Sequence, residues 1–189
     1  MKLGNSPELD QIDLQILSTL QDHCKISLVK LGEQVGLSAP SVIERVKKLE
    51  DSGIITGYHA VLDARRLGID ITAFIGVSIN HPRLIGNFEQ AVEQLDDVLE
   101  CHHVTGEHTL LLKVKTDNTS SLERLISTIR SIEGVERTET MVVLSTHTER
   151  LQIAIGEGSS EEVAAAANGK RLRHNGSHGT HGRRERDHA

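Results

Sequence analysis

The chain has 189 residues, with 37% hydrophobic and 25% charged residues and a formal net charge of −6. That composition suits one ordinary globular domain or two small ones. It excludes a disulfide scaffold, since Cys24 and Cys101 are the only cysteines, and no apolar run approaches the ~20 residues of a membrane span. The polar stretch Met1 to Glu8 has no apolar signal region, so a reduced, cytoplasmic setting is expected.

Residues 1–66 read as a helical DNA-binding unit ending in a linker strand. Asp10 is an N-cap candidate with Asp13 at N3, ahead of an apolar stripe of Ile12, Ile16, Leu17 and Leu20. A second helix starts at Ser27 and ends at Gly36, with Gly32 allowing close packing. Ser38 caps a third, with Pro40 in its first turn and Val42, Val46 and Leu49 facing inward. Two helices joined by the tight Gly36-Leu37-Ser38 turn form a helix-turn-helix core. On the third helix, Ser41, Glu44, Arg45 and Lys48 are expected to project from the buried stripe, flanked by Pro40 and Lys47. This face suits a major groove, where Arg45 could read a guanine edge and Lys48 a base or phosphate. The same charges also fit an ordinary solvated helix. Ile54 to Leu62 alternates as a wing or linker strand would.

Residues 67–155 read as strand-helix-strand-strand-helix-strand, so the fold class is α+β. Ala73, Ile75 and Val77 alternate in a half-buried strand, and Phe88, Val92 and Leu95 give one helix face. Leu99 to Val104 and Leu110, Leu112 and Val114 make a hairpin turning at Thr105-Gly106-Glu107. Leu122, Leu125, Ile126 and Ile129 form the second helix, and Thr138, Thr140 and Val142 lie on the last strand. This βαββαβ order is ferredoxin-like, with both helices on one sheet face. The other face needs a cover, which implies at least a homodimer. Residues 156–189 form a basic, His-rich tail that we expect to be disordered, with a helical turn conceivable at Val163 to Ala167. The tail could add phosphate contacts or be inert.

The ordered set Leu9-Asp10-x-x-Asp13-x-x-Ile16-Leu17, Val35-Gly36-Leu37-Ser38, Glu44-Arg45-Val46-Lys47-Lys48-Leu49-Glu50-x-x-Gly53-Ile54-Ile55-x-Gly57-Tyr58, Val104-Thr105-Gly106, and Gly134-Val135-x-Arg137-Thr138-x-Thr140 resembles the Lrp/AsnC, or feast/famine, family of transcription regulators. The resemblance implies a winged helix-turn-helix and a ferredoxin-like domain that dimerises, with dimers often assembling into octamers. It also implies double-stranded DNA as partner, no catalytic activity, no cofactor, and an amino acid or related effector bound between subunits. DNA contacts then fall on Ser38, Pro40, Ser41, Glu44, Arg45, Lys47 and Lys48. Effector contacts fall on Thr105, Gly106, Glu107, His108, Thr109, Asp117, Thr138 and Thr140. Where the family loop often reads Gly-acid-x-Asp, this chain has Gly106-Glu107-His108-Thr109, so one carboxylate is missing and Glu107 or Asp117 must supply it.

Three other readings use the same residues. Cys101, His103 and His108 crowd one hairpin and could hold a soft or borderline metal, but no metal-ligand spacing supports them, and a hairpin with a buried Cys and partly exposed histidines is the favoured reading. His102, His103 and His108 could serve a tetrapyrrole (siroheme-type) decarboxylase of the same two-domain shape. The third alternative is an architectural protein binding DNA with little sequence preference.

Overall fold

A computed structural model describes residues 9–155. Within them the chain forms two compact units. One comprises residues 9–59 together with 150–155, and the other residues 60–149. The sequence suggested boundaries near 66 and 155. The expected tail, its helical turn and its histidines lie outside the described residues.

The first unit holds helices α1 (Gln11–Asp22), α2 (Leu28–Val35) and α3 (Ala39–Asp51). Asp10 and Asp13 form a capping box in which each side chain accepts from the other's backbone N–H, at 2.8 and 3.3 Å. Ser27 and Ser38 cap α2 and α3 through their hydroxyls. Gly36 ends α2 at φ 71°, a left-handed conformation that disfavours residues with a Cβ. A Cβ at Gly32 would stand 2.6 Å from the Leu37 carbonyl oxygen, so the α2–α3 turn needs glycine there. Ile16, Leu31, Val42, Val46 and Leu49 make the core.

Two expectations change here. Residues 54–62 form no strand, because no second segment among the described residues lies beside them to complete a ladder. Ile54 and Ile55 instead donate their N–H groups to the Leu49 carbonyl, closing the C-terminus of α3, and pack on the helical core. On α3, Ser41 and Arg45 are half-buried beside the Val42/Val46/Leu49 stripe, while Pro40, Ile43, Glu44, Lys47 and Lys48 are exposed. Successive 100° steps place Arg45 only about 40° from Leu49, which is why it borders the core. Residues 150–155 carry no regular structure, but Gln21 and Ile153 exchange two hydrogen bonds, Gln21 Nε2 to the Ile153 carbonyl (3.1 Å) and Ile153 N–H to Gln21 Oε1 (2.8 Å).

The second unit follows the expected order: β1 (Ile71–Ile79), α4 (Ile85–Val92), β2 (Val98–His103), β3 (Leu110–Thr116), α5 (Thr119–Arg130) and β4 (Val135–Val142). The sheet runs β2-β3-β1-β4, all neighbours antiparallel. Ala73, Ile75 and Val77 of β1 pair with Val114, Leu112 and Leu110 of β3 and pack with Phe88, Val92, Leu122, Leu125 and Ile129 from the helices. The opposite face carries Phe74, Gly76, Leu111, Lys113, Glu139 and Met141, with no helix of the described chain over it.

Candidate DNA-binding face and effector-binding site

Helix α3 presents an exposed arc of Pro40, Glu44, Lys47 and Lys48. Ser38 and Ser41 lie at its N-terminus with hydroxyls 2.9 Å apart. Arg45 is engaged elsewhere. Its Nη1 donates to Asp10 Oδ2 and to Asp13 Oδ1, each at 2.7 Å. Asp13 is buried, so the guanidinium neutralises a carboxylate with little access to water. Asp10 titrates below its usual range, chiefly because it accepts the Asp13 N–H and then because of Arg45. Arg45 therefore fastens the start of α1 to the middle of α3. The capping pattern predicted Asp10 and Asp13 as caps. Their second role was hidden, because the link spans 32 to 35 residues.

The β2–β3 turn places Thr105, Gly106 and Glu107 in solvent, with Gly106 at φ 127°. His108 follows with its ring against Gly76, where a Cβ would stand 2.6 Å from Nε2. Thr109 has a structural role: its N–H donates to the Val77 carbonyl (2.9 Å), and its hydroxyl accepts the Ile79 N–H (3.2 Å). Arg137 bridges Glu107 (3.1 Å) and Glu139 (3.3 Å). The remaining effector candidates do not join this group within one chain. Thr138 and Thr140 pair with Val77 and Ile75 and so lie on the helix-covered face, where Arg130 Nε donates to the Thr138 hydroxyl at 2.8 Å. Asp117 follows the far end of β3, a strand length of about 20 Å from the turn.

The histidine and cysteine constellations also separate. Cys101 and His103 pair with Leu112 and Leu110 and share the helix side, whereas His102 pairs with Leu111 on the open side and contacts Glu100 at 3.1 Å. Cys101, His103 and His108 do not converge on one metal, nor His102, His103 and His108 on one substrate. Desolvation in the groove beside α4, and then the charge of Glu89, hold the Cys101 thiol above its usual pKa, which disfavours the thiolate a metal needs. That groove has a volume of about 560 Å³ and is lined by Gly86, Glu89, Gln90, Leu99 and Cys101 among others. Lys113, on the open face, sits between Glu149 (2.9 Å) and Glu100 (3.1 Å). Among the described residues no helix is long and apolar enough to cross a membrane.

Comparison with known proteins accords with this arrangement. Residues 9–56 match the winged helix-turn-helix DNA-binding family model, and residues 72–153 match the Lrp/AsnC ligand binding domain. The chain is 33% identical over 150 residues to the HTH-type transcriptional regulator FL11 of Pyrococcus horikoshii, covering 78% of this chain and 97% of that protein. It is 37% identical over 140 residues to the leucine-responsive regulatory protein of Escherichia coli, covering 72% and 85%. Among solved structures, a transcriptional regulator of Neisseria meningitidis in complex with L-Met superposes with a TM-score of 0.74 at 30% identity, covering 78% of this chain and 97% of that one. Escherichia coli AsnC gives 0.72 at 29% identity, covering 77% and 98%. With the helix-turn-helix and the four-stranded antiparallel α+β domain in family order, the chain belongs to the Lrp/AsnC family of DNA-binding transcription regulators.

Proposed function

We propose that this regulator enters the major groove with α3 through Ser38, Pro40, Ser41, Glu44, Lys47 and Lys48, while Arg45 positions the helix. The observation that carries this reading is the division of α3 into an exposed polar arc and a side fastened to the core by Arg45. Lys47 and Lys48 suit phosphate or base-edge contacts on the exposed arc. A homodimer would present two such helices to half-sites one helical turn, or about 34 Å, apart. The uncovered sheet face supports dimerisation, because Phe74, Leu111 and Met141 lie on it with no helix of the described residues above them. A regulator acting on chromosomal DNA in this way works in the cytoplasm. Selection of binding sites from random duplex DNA should return pseudo-palindromes. Recovery of no sequence preference would favour the architectural reading instead.

The effector proposed for the second unit is an amino acid, the ligand class of the Neisseria structure. Backbone N–H groups of the Gly106 turn suit its carboxylate, and Glu107 suits its ammonium. Thr138 and Thr140 could reach the same ligand only from another subunit or after rearrangement, since they face the helices. Calorimetry against the twenty amino acids tests this. Heat with one of them, lost in Glu107→Gln, is the expected result. Silence with all twenty would set aside that ligand class.

A further inference from the structure

The open face of the sheet holds a second constellation, made by residues far apart in sequence. Glu107 lies in the β2–β3 turn, His108 just before β3, and Glu139 in the middle of β4. One donor atom from each falls within 4.8 Å of the other two. We propose that Glu107, His108 and Glu139 bind a divalent first-row transition-metal ion, with water completing its coordination.

The distances favour ligation over hydrogen bonding. His108 Nε2 and Glu139 Oε2 are 3.4 Å apart, long for a hydrogen bond to a carboxylate. Two ligands, each about 2.1 Å from a tetrahedral ion, stand about 3.4 Å from one another. The His108 ring is nearly buried, and its Nδ1 has no hydrogen-bond partner among the described residues, so the imidazole is short of polar contacts. Its position is fixed from both sides. Gly76 leaves room for the ring, and Thr109 is held by two hydrogen bonds to β1. A fixed imidazole flanked by two exposed carboxylates is a pre-arranged donor set.

The chemistry of the donors selects the ion. One imidazole and two carboxylates suit zinc, manganese, cobalt or nickel better than calcium or magnesium, which take oxygen ligands. Two carboxylates also balance the charge of a divalent ion. In the structure Arg137 neutralises them instead, and its side chain is 58% exposed. Exposed pairs of this kind contribute little stability, so an ion can displace the guanidinium at small cost. Arg137 is thus a competitor for the site.

This inference does not rest on amino-acid sensing, although an effector's ammonium and the ion would both use Glu107. The test is therefore run on the full chain without DNA or amino acid, by calorimetric titration with Zn²⁺. Wild type should show one binding event that weakens by at least about tenfold in Glu139→Gln and in Glu107→Gln, since ligand loss exceeds the effect of losing an outer partner. Arg137→Ala should bind Zn²⁺ more tightly than wild type. Both glutamates are exposed within one chain, and circular dichroism together with sedimentation checks that the variants keep the fold and assembly of wild type. His108→Asn should abolish the same event. Histidines of residues 174–188 contribute an equal background to every variant. Equal Zn²⁺ affinity in wild type and both glutamine variants, or no tightening in Arg137→Ala, overturns the proposal.

Discussion

Arg45 and Asp13 meet at 2.7 Å, and Asp13 is only 5% exposed. An arginine on α3, the helix proposed to enter DNA, is therefore part of the unit's internal architecture. Arg45→Ala leaves a buried carboxylate without its cation, and we expect a loss of about 1–3 kcal/mol in folding stability. Chemical denaturation of the DNA-free protein measures it. Unchanged stability, with DNA affinity alone reduced, would return Arg45 to the role of a base reader.

Lys47 and Lys48 should behave in the opposite way. Each is exposed, so Lys47→Ala and Lys48→Ala should melt as wild type does. Affinity for operator DNA should fall in both. A lysine that contacts a phosphate should also reduce the slope of log K against log salt by about one. Titrations at several salt concentrations check this, and a slope identical to wild type would place that lysine off the backbone.

Most of the architecture was legible in the sequence because caps, glycines and periodicity are local. Asp10, Ser27 and Ser38 announced the helix starts, and the alternation in Ala73 to Val77 and Leu110 to Val114 announced the strands. The pattern failed where the deciding partner is distant. Residues 54–62 alternate like a strand, but strand formation requires a second segment alongside. Arg45 has the residue type of a DNA contact, and only the approach of Asp10 and Asp13 gives it another task. The effector candidates were gathered from separate stretches of resemblance, and neighbouring residues of a strand face opposite ways, which separates Thr138 and Thr140 from Glu139. Thr109 stood out as a missing acid. Its bond to the Ile79 N–H shows what the hydroxyl does in its place.

That bond gives a further prediction. Thr109→Val keeps the shape of the side chain and removes the acceptor, leaving the half-buried Ile79 N–H unpaired. We expect a cost of about 1–3 kcal/mol in the stability of residues 60–149. Hydrogen exchange should show faster exchange at Ile79, with the amide of residue 109, which donates to the Val77 carbonyl, less affected. Unaltered protection at Ile79 would mean that the hydroxyl contributes nothing.

The Lys113 cluster gives a pH dependence of known sign. Hydrogen bonding to Lys113 lowers the Glu149 carboxyl below 4.5, hydrogen bonding to His102 and then to Lys113 lowers the Glu100 carboxyl below 4.5, and Glu149 foremost raises Lys113 above 10.5. The carboxylates' contribution is complete above their unfolded pKa and is lost as pH falls through their lowered folded values. The Lys113 contribution is complete below 10.5 and disappears as pH rises through its raised folded value. Lys113→Met should therefore be less stable than wild type near neutrality, with the difference shrinking below pH 4.5. Denaturation curves at pH 3 and pH 7 make the comparison. A difference that is independent of pH would assign the loss to packing of the lysine stem.

Tyr58 is the one tyrosine of a chain without tryptophan, so its phenolate can be followed by absorbance without interference. Desolvation, and then its hydrogen bond to Glu50 at 2.9 Å, push it up to about 12. The folded protein should titrate well above 10. Glu50→Gln should lower the midpoint part of the way, because desolvation is the larger cause. A midpoint near 10 in the folded protein would show that the phenol points freely into water.

The rims of the sheet bear on how two copies can meet. Strand β2 is six residues long, irregular between Val98 and Glu100, and carries Glu100, His102 and His103. Strand β4 forms the other rim and carries Glu136, Arg137 and Glu139, with an irregular register opposite Ser78 and Ile79. Charged and irregular rims discourage another chain from adding its backbone to the ladder. Continuous sheet growth and fibre formation are thereby resisted. In the proposed dimer, association falls on the broad face bearing Phe74, Leu111 and Met141, where side chains rather than peptide groups would determine the fit and an interface between two sheets would close on itself.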